Sequence, residues 1–184
     1  TAAKKDIFLM RTAGAVEVCD FSDFGYPSTY LLPENELFSL FWNIYNYLNN
    51  RCEQGGYIVL EIADGIFQKE AEMLLSNLDV KSSIDYLVFS CCDSLSAVAG
   101  IERIENKFGM KVAAISGPAA NSQLGLKEIA KFSKDVPAFN NMILDVQTIA
   151  ETFTCSDYKK ESVHVLPEAI VEEETLNTNL SKSD

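Results

Sequence analysis

Residues 57–68 read Tyr-Ile-Val-Leu-Glu-Ile-Ala-Asp-Gly-Ile-Phe-Gln, an apolar run that delivers Glu61, Asp64 and Gly65 towards its carboxyl end. The carboxyl ends of buried strands are where open α/β sheets keep their chemistry. A strand that is apolar on both faces has no packing use for an acid. Glu61 and Asp64 must therefore be solvated, hydrogen-bonded or bound to a cation. The run predicts a site in which Glu61 and Asp64 are the catalytic candidates and the metal ligands. The structural alternative is a strand end whose Asp64 caps the next helix.

Three more segments stand where an apolar run gives way to a loop: 20–23, Cys92-Asp93-Ser94, and Ser116-Gly117-Pro118. If the strands are parallel, these ends share one edge with Glu61 and Asp64 and line one crevice. Asp93 and Ser94 are also good helix caps, and Gly117-Pro118 is also ordinary turn chemistry. Residues 20–30 are the richest in ligand-binding groups. Asp20, Asp23, Ser28 and Thr29 can hold a hydrated metal or a substrate hydroxyl, and Phe24 and Tyr26 can shield a small pocket. Asx turns in a surface loop explain the same residues. Pro27 and Gly25 predict an ordered, ligand-facing loop with Asp20, Asp23, Tyr26, Ser28 and Thr29 as the substrate-binding set.

The elements that would position these groups alternate in type. The 184 residues are 47% hydrophobic and 23% charged, enough for one domain with a sizeable core and with no apolar run able to span a bilayer. Strands are expected at 15–20, 57–63, 86–91, 111–116 and 136–139. Helices are expected from Glu34 to Gly55, over 68–77, over 94–108 with a stop at Gly109, and over 122–133. The pattern predicts an α/β fold, an open and mostly parallel doubly wound sheet of four to five strands with helices on both faces and right-handed crossovers. A helix over 146–153 and an edge strand over 163–166 would follow. The domain is expected over 1–155. Residues 156–184, carrying Glu168, Glu172, Glu173 and Glu174, are expected to be an acidic, partly disordered tail.

The net charge of −12 argues against nucleic acid, whose affinity rests on Lys and Arg releasing counterions. A bound polyphosphate would need Mg2+ or a local positive element to offset the same field. Five cysteines, Cys19, Cys52, Cys91, Cys92 and Cys155, form no paired spacing, and one histidine, His164, leaves zinc without ligands. Free thiols in a reducing cytosol fit the count. Cys91-Cys92 offers a nucleophile only with a base beside it, and core cysteine is the simpler reading. The aromatic helix carrying Phe38, Phe41, Trp42, Tyr45 and Tyr47 is apolar around much of its girth, which suits a core position or a homodimer interface.

Taken together, the succession of 20–30, the run Val59-Leu60-Glu61-Ile62-Ala63-Asp64-Gly65 with Gln68 and Glu70, then Asp93 and Ser116-Gly117 resembles the later part of P-loop proteins of the dethiobiotin-synthetase-like group. The resemblance covers residues 6–139. It implies a doubly wound α/β sheet with ATP and Mg2+ as cofactors, Asp64 or Glu61 as the metal-linked acid, and Ser116, Gly117 and Asn121 near the nucleotide base.

The group's phosphate-binding loop, Gly-x-x-x-x-Gly-Lys followed by Ser or Thr, occurs nowhere in the chain. The chain opens at Thr1-Ala2-Ala3. Both features fit a chain whose phosphate-binding half lies upstream in a longer protein, or a stand-alone relative that has lost hydrolysis. Either way the chain alone is expected to bind ATP far more weakly than a complete P-loop domain. Two functions stay open: the carboxy-terminal part of an ATP- and Mg2+-dependent ligase or small-molecule kinase, or a non-catalytic ligand-binding or assembly module on the same sheet.

Overall fold

The structure is a computed structural model, and it describes residues 4–63, 65–133, 136–143, 149 and 153. Helix α1 spans Lys4–Thr12 and has no buried residue. A short 3-10 turn, Phe21–Phe24, leads through residues 25–33 into α2, Glu34–Asn49. Pro33 cannot continue a helix backwards, and Glu34 and Glu36 complement the positive end of the dipole. Leu37, Leu40 and Phe41 fall on one face at spacings of three and four and are buried.

Helix α3 (Lys69–Ser76) and α4 (Leu78–Ser82) follow. The helix expected over 68–77 forms as α3, and α4 is an addition to it: Asn77 turns extended and accepts the N–H groups of Asp79 and Val80 at 3.0 Å each, which starts the second helix. Strand β1 is Val88–Ser90, α5 is Ser94–Arg103, and a π-helical turn, Ile104–Phe108, extends it to Gly109 at φ 65°. Strand β2 is Ala114–Ser116, Pro118–Ala120 form a 3-10 turn, and α6 is Gln123–Phe132. α1 goes unforeseen in the sequence, because it has no apolar face to announce it.

β1 and β2 pair in parallel, with Phe89 opposite Ile115. On its other side β2 meets the segment around Ala138: Ile115 donates to the Pro137 carbonyl at 2.8 Å, and Phe139 donates to the Ile115 carbonyl at 3.1 Å. β2 is thus central. α5 and α6 pack on each other and enclose Ile115, Ile101, Ile104, Phe108 and Ile129. Full burial of a side chain such as Ile115 stabilises the fold by about 1.5–3 kcal/mol. A second cluster joins α2 to α3 and α4 through Leu37, Phe41, Leu74 and Val80, and Ile62 and Ile84 touch both clusters.

The open, mostly parallel doubly wound sheet of four to five strands is not what forms. Among the described residues the sheet has two strands plus the bridge at Ala138. Residues 15–20 and 57–63 are irregular and belong to no ladder among the described residues, and Val16 and Val59 are exposed. An apolar, strand-prone composition suits a pleated surface, but it does not supply a neighbouring edge in register. The expected helix at 146–153 lies outside the described residues apart from Ile149 and Phe153. The strand at 163–166 and the tail lie wholly outside them. No helix among the described residues is long and apolar enough to cross a membrane.

Candidate functional site at the carboxyl edge of the strands

Parallel pairing brings the loops after β1 and β2 together. Cys91 donates to the Ser116 carbonyl at 3.1 Å, and Ala119 donates back to the Cys91 carbonyl at 3.0 Å. Gly117 makes this approach feasible. It sits at φ 88° and ψ −168°, a region almost closed to other residues, and a Cβ there would lie 2.6 Å from Ser90 Oγ and 2.8 Å from the Cys91 carbonyl oxygen. Ser116 and Gly117 are buried as a result.

Two helices begin at this edge. Asp93 caps α5 by accepting the Ser96 N–H at 2.7 Å, and Ser96 returns its hydroxyl to close a capping box. The Ser96 N–H, then its hydroxyl and the Leu95 N–H, hold the Asp93 carboxyl below its ordinary range. Asp93 is therefore committed as a cap, the bland reading of this residue. Ser122 caps α6 by accepting the Gly125 N–H at 2.9 Å. Ser94 donates its hydroxyl to Glu128, which ties the first turn of α5 to α6.

Asn121 stands between the 3-10 turn and α6. Its Oδ1 is buried with no hydrogen-bond partner, while its backbone carbonyl accepts from Asn140 Nδ2 at 3.4 Å. An unmet buried acceptor costs about 1–3 kcal/mol, so it marks a place where a donor is wanted. Burial raises the Cys91 thiol above its ordinary value against the opposing Ser96 hydrogen bond, so it is protonated at neutral pH and no nucleophile.

The other expected site residues lie elsewhere. Glu61 is exposed on a segment that makes no backbone hydrogen bond to another described residue, and Asp64 lies outside the described residues. Among the described residues no three His, Cys, Asp or Glu side chains gather to hold a metal ion. The loop at 20–30 is ordered by its own bonds. Asp20 Oδ1 accepts the Ser22 N–H at 2.7 Å, Asp23 Oδ2 accepts the Asp20 N–H at 3.0 Å, and Ser28 Oγ accepts the Tyr30 N–H at 3.1 Å. Tyr26, Ser28 and Thr29 are half-buried. The loop packs on α2, where Phe24 meets Tyr47 edge to face, and Leu31 donates to Glu70 of α3 at 2.6 Å.

Of the four segments expected on one edge, the structure joins Cys92-Asp93-Ser94 and Ser116-Gly117-Pro118 through the backbone bonds at Cys91, and packs 20–23 on α2 instead. Sequence reasoning missed Glu128 and Asn140, which carry no motif and arrive through the packing of α6 and the bridge at Ala138. It also missed Arg11, Glu17 and Tyr47, which with Asp23 and Phe24 line a cavity of about 270 Å³ between α1, α2 and the 3-10 turn. Comparison with protein families, with curated proteins and with solved structures gives no match for this chain.

Proposed function

We propose that the chain is a nucleotide-facing α/β module, with the base of ATP against residues 116–121, as in the carboxy-terminal part of an ATP- and Mg2+-dependent ligase or small-molecule kinase. Asn121 is the observation that carries this reading, because its buried Oδ1 lacks a donor. Adenine offers an exocyclic amine beside a ring acceptor, which one Asn side chain matches with Oδ1 and Nδ2. Gly117 contributes by letting the loop fold back against β1, which fixes the 3-10 turn that Asn121 closes ahead of α6. The loop residues Asp20, Asp23, Tyr26, Ser28 and Thr29 face the small-molecule substrate in this reading, and the free thiols suit a cytosolic setting.

The function assigned to this chain is binding, not turnover, since a lysine-bearing phosphate loop is missing from its sequence. Mg2+ when bound would offset the phosphate charge against the net charge of −12. Only Glu61 of the two proposed ligands is among the described residues, so no step is assigned to the ion. Calorimetry with adenosine and guanosine tests the reading. Adenosine should bind more tightly, and Asn121→Ala should weaken it about tenfold, the equivalent of about 1.4 kcal/mol. Equal binding of both nucleosides, or no effect of Asn121→Ala, overturns it.

A non-catalytic assembly module is the second reading, favoured by residues 57–63. Tyr57 and Val59 are 77% and 83% exposed on a strand-like segment with open backbone groups, which suits pairing with a second copy. Sedimentation of the wild type and of Val59→Lys tests it. A dimer that the lysine abolishes supports this reading, and a wild-type monomer at all concentrations removes it.

A further inference from the structure

We propose that the cavity between α1, the 3-10 turn Phe21–Phe24 and α2 binds a free amino acid, with Arg11 taking its carboxylate, Asp23 its ammonium group, and Phe24 and Tyr47 its side chain. The site is separate from the edge that holds Asn121 and stands whether or not a nucleotide binds there.

Three observations lead to a zwitterion. The first is a pair of opposite charges on one small cavity of about 270 Å³. Arg11, in the last turn of α1, lines it, and its guanidinium makes no hydrogen bond or ion pair among the described residues. A guanidinium left in this state presents a planar pair of donors that fits a carboxylate. Asp23 lines the same cavity. Its Oδ2 is used by the Asp20 N–H at 3.0 Å, which fixes the carboxyl group and leaves Oδ1 for a ligand.

The second is an apolar wall on the same cavity. The Phe24 and Tyr47 rings meet edge to face with centroids 5.7 Å apart, and Val18 beside them is buried. Arg51 covers one face of the Tyr47 ring at 3.7 Å from its centroid and lies 3.8 Å from Glu17. This fixes Tyr47 and partly neutralises Glu17, so Asp23 remains the better anchor for an ammonium group. An aliphatic side chain of three or four carbons can lie against this wall.

The third is the field at Cys19, which also lines the cavity. Burial raises its thiol first, and Asp23, Glu17 and Asp20 raise it further, with Arg51 alone opposing. The thiol end of the cavity is therefore acidic in character and favours a cation, while Arg11 supplies its positive group. A protonated Cys19 is a packing group here and takes no part in covalent chemistry.

Three probes separate the charges: norvaline carries both, n-butylamine lacks the carboxylate, and pentanoate lacks the ammonium group. Calorimetry or protein-observed NMR on the full chain should show saturable norvaline binding at least tenfold tighter than either single-charge probe. Arg11→Gln should weaken norvaline about tenfold and leave n-butylamine unchanged. Asp23→Asn should do the converse, weakening norvaline and leaving pentanoate unchanged. Both side chains are exposed, and Asn keeps an oxygen to accept the Asp20 N–H, so neither change should disturb folding, which circular dichroism checks. The proposal fails if no probe binds, if a single-charge probe equals norvaline, or if both folded variants bind norvaline as the wild type does.

Discussion

Residues 57–63 and residues 112–116 are both apolar and strand-prone, yet they meet opposite fates. Val112, Ala113, Ala114 and Ile115 are each at most 1% exposed, and the backbone of this segment bonds to Leu87 and Cys91 on one side and to Pro137 and Phe139 on the other. Tyr57 and Val59 are mostly exposed, and among the described residues none bonds to the backbone of 57–63. Ile62 alone reaches both core clusters. The difference lies in neighbours. Between two edges, an apolar segment has its backbone groups satisfied and both faces covered. With neither edge beside it, the same composition remains an extended segment held by one face.

The largest test of this contrast is Ile115→Ala. Ile115 is fully buried beneath α5 and α6, and the truncation should cost about 2–5 kcal/mol in urea denaturation because the close-packed surroundings cannot collapse into the space. Hydrogen exchange sharpens the same point. The amides of Ala113 and Ile115, bonded at 2.8 Å each, should exchange orders of magnitude more slowly than those of residues 58–62. Protection of 58–62 equal to that of 113 and 115 would break the comparison.

Gly117→Ala comes next. The wild-type backbone occupies a region nearly restricted to glycine, and the new Cβ would meet Ser90 Oγ and the Cys91 backbone. Strain of about 1–3 kcal/mol is expected. Because the clash separates the loops after β1 and β2, any ligand bound at Asn121 should be weakened together with stability. Gly65→Ala provides the contrast: it also has positive φ, but nothing lies within 4 Å of its Cβ, so it should be strained without a collision.

These contrasts show what the residues disclosed. Helix positions were legible because 3.6-residue periodicity and caps are local: Glu34, Asp93, Ser122 and Gly109 mark ends close to those that form. The meeting of Cys92-Asp93-Ser94 with Ser116-Gly117-Pro118 was legible too, since parallel strands place successive carboxyl ends on one edge, whereas 20–23 follows no paired strand and does not join them. The sheet's extent was not. Whether 15–20 or 57–63 gains a partner depends on the placement of distant segments, which composition does not encode. The cavity lined by Arg11, Glu17 and Tyr47 was illegible because its 11–24 wall carries no periodic signal and closes only where Tyr47 of α2 packs against it.

A smaller effect is expected from acid. The carboxyls of Asp93 and Glu72 are held below their ordinary ranges, Asp93 by the Ser96 bonds and Glu72 first by its hydrogen bond from Lys107 and then by Arg103. A depressed folded-state pKa gives stability that is fully present above the unfolded value and lost as pH falls through the folded one. The unfolded references are 3.8 for Asp93 and 4.5 for Glu72, so the loss should begin below those values. The variant Asp93→Asn keeps a capping oxygen but cannot titrate. The stability gap between wild type and this variant should therefore narrow on acidification, as read from thermal midpoints across the acid range, and a gap independent of pH would show that the cap is not ionic.

The smallest expected effect is at Val59. Its side chain is 83% exposed and pairs with no strand among the described residues, so Val59→Thr in the monomeric chain should change stability by no more than about 0.5 kcal/mol. Threonine keeps the β-branch and the strand preference, so only the apolar contact is removed. The outcome therefore reports whether anything covers this side chain. A loss of about 1 kcal/mol or more that grows with protein concentration would mean that a second copy buries Val59. An equal loss at every concentration would mean that another part of the same chain covers it, and 57–63 would then belong with 112–116 as a paired strand.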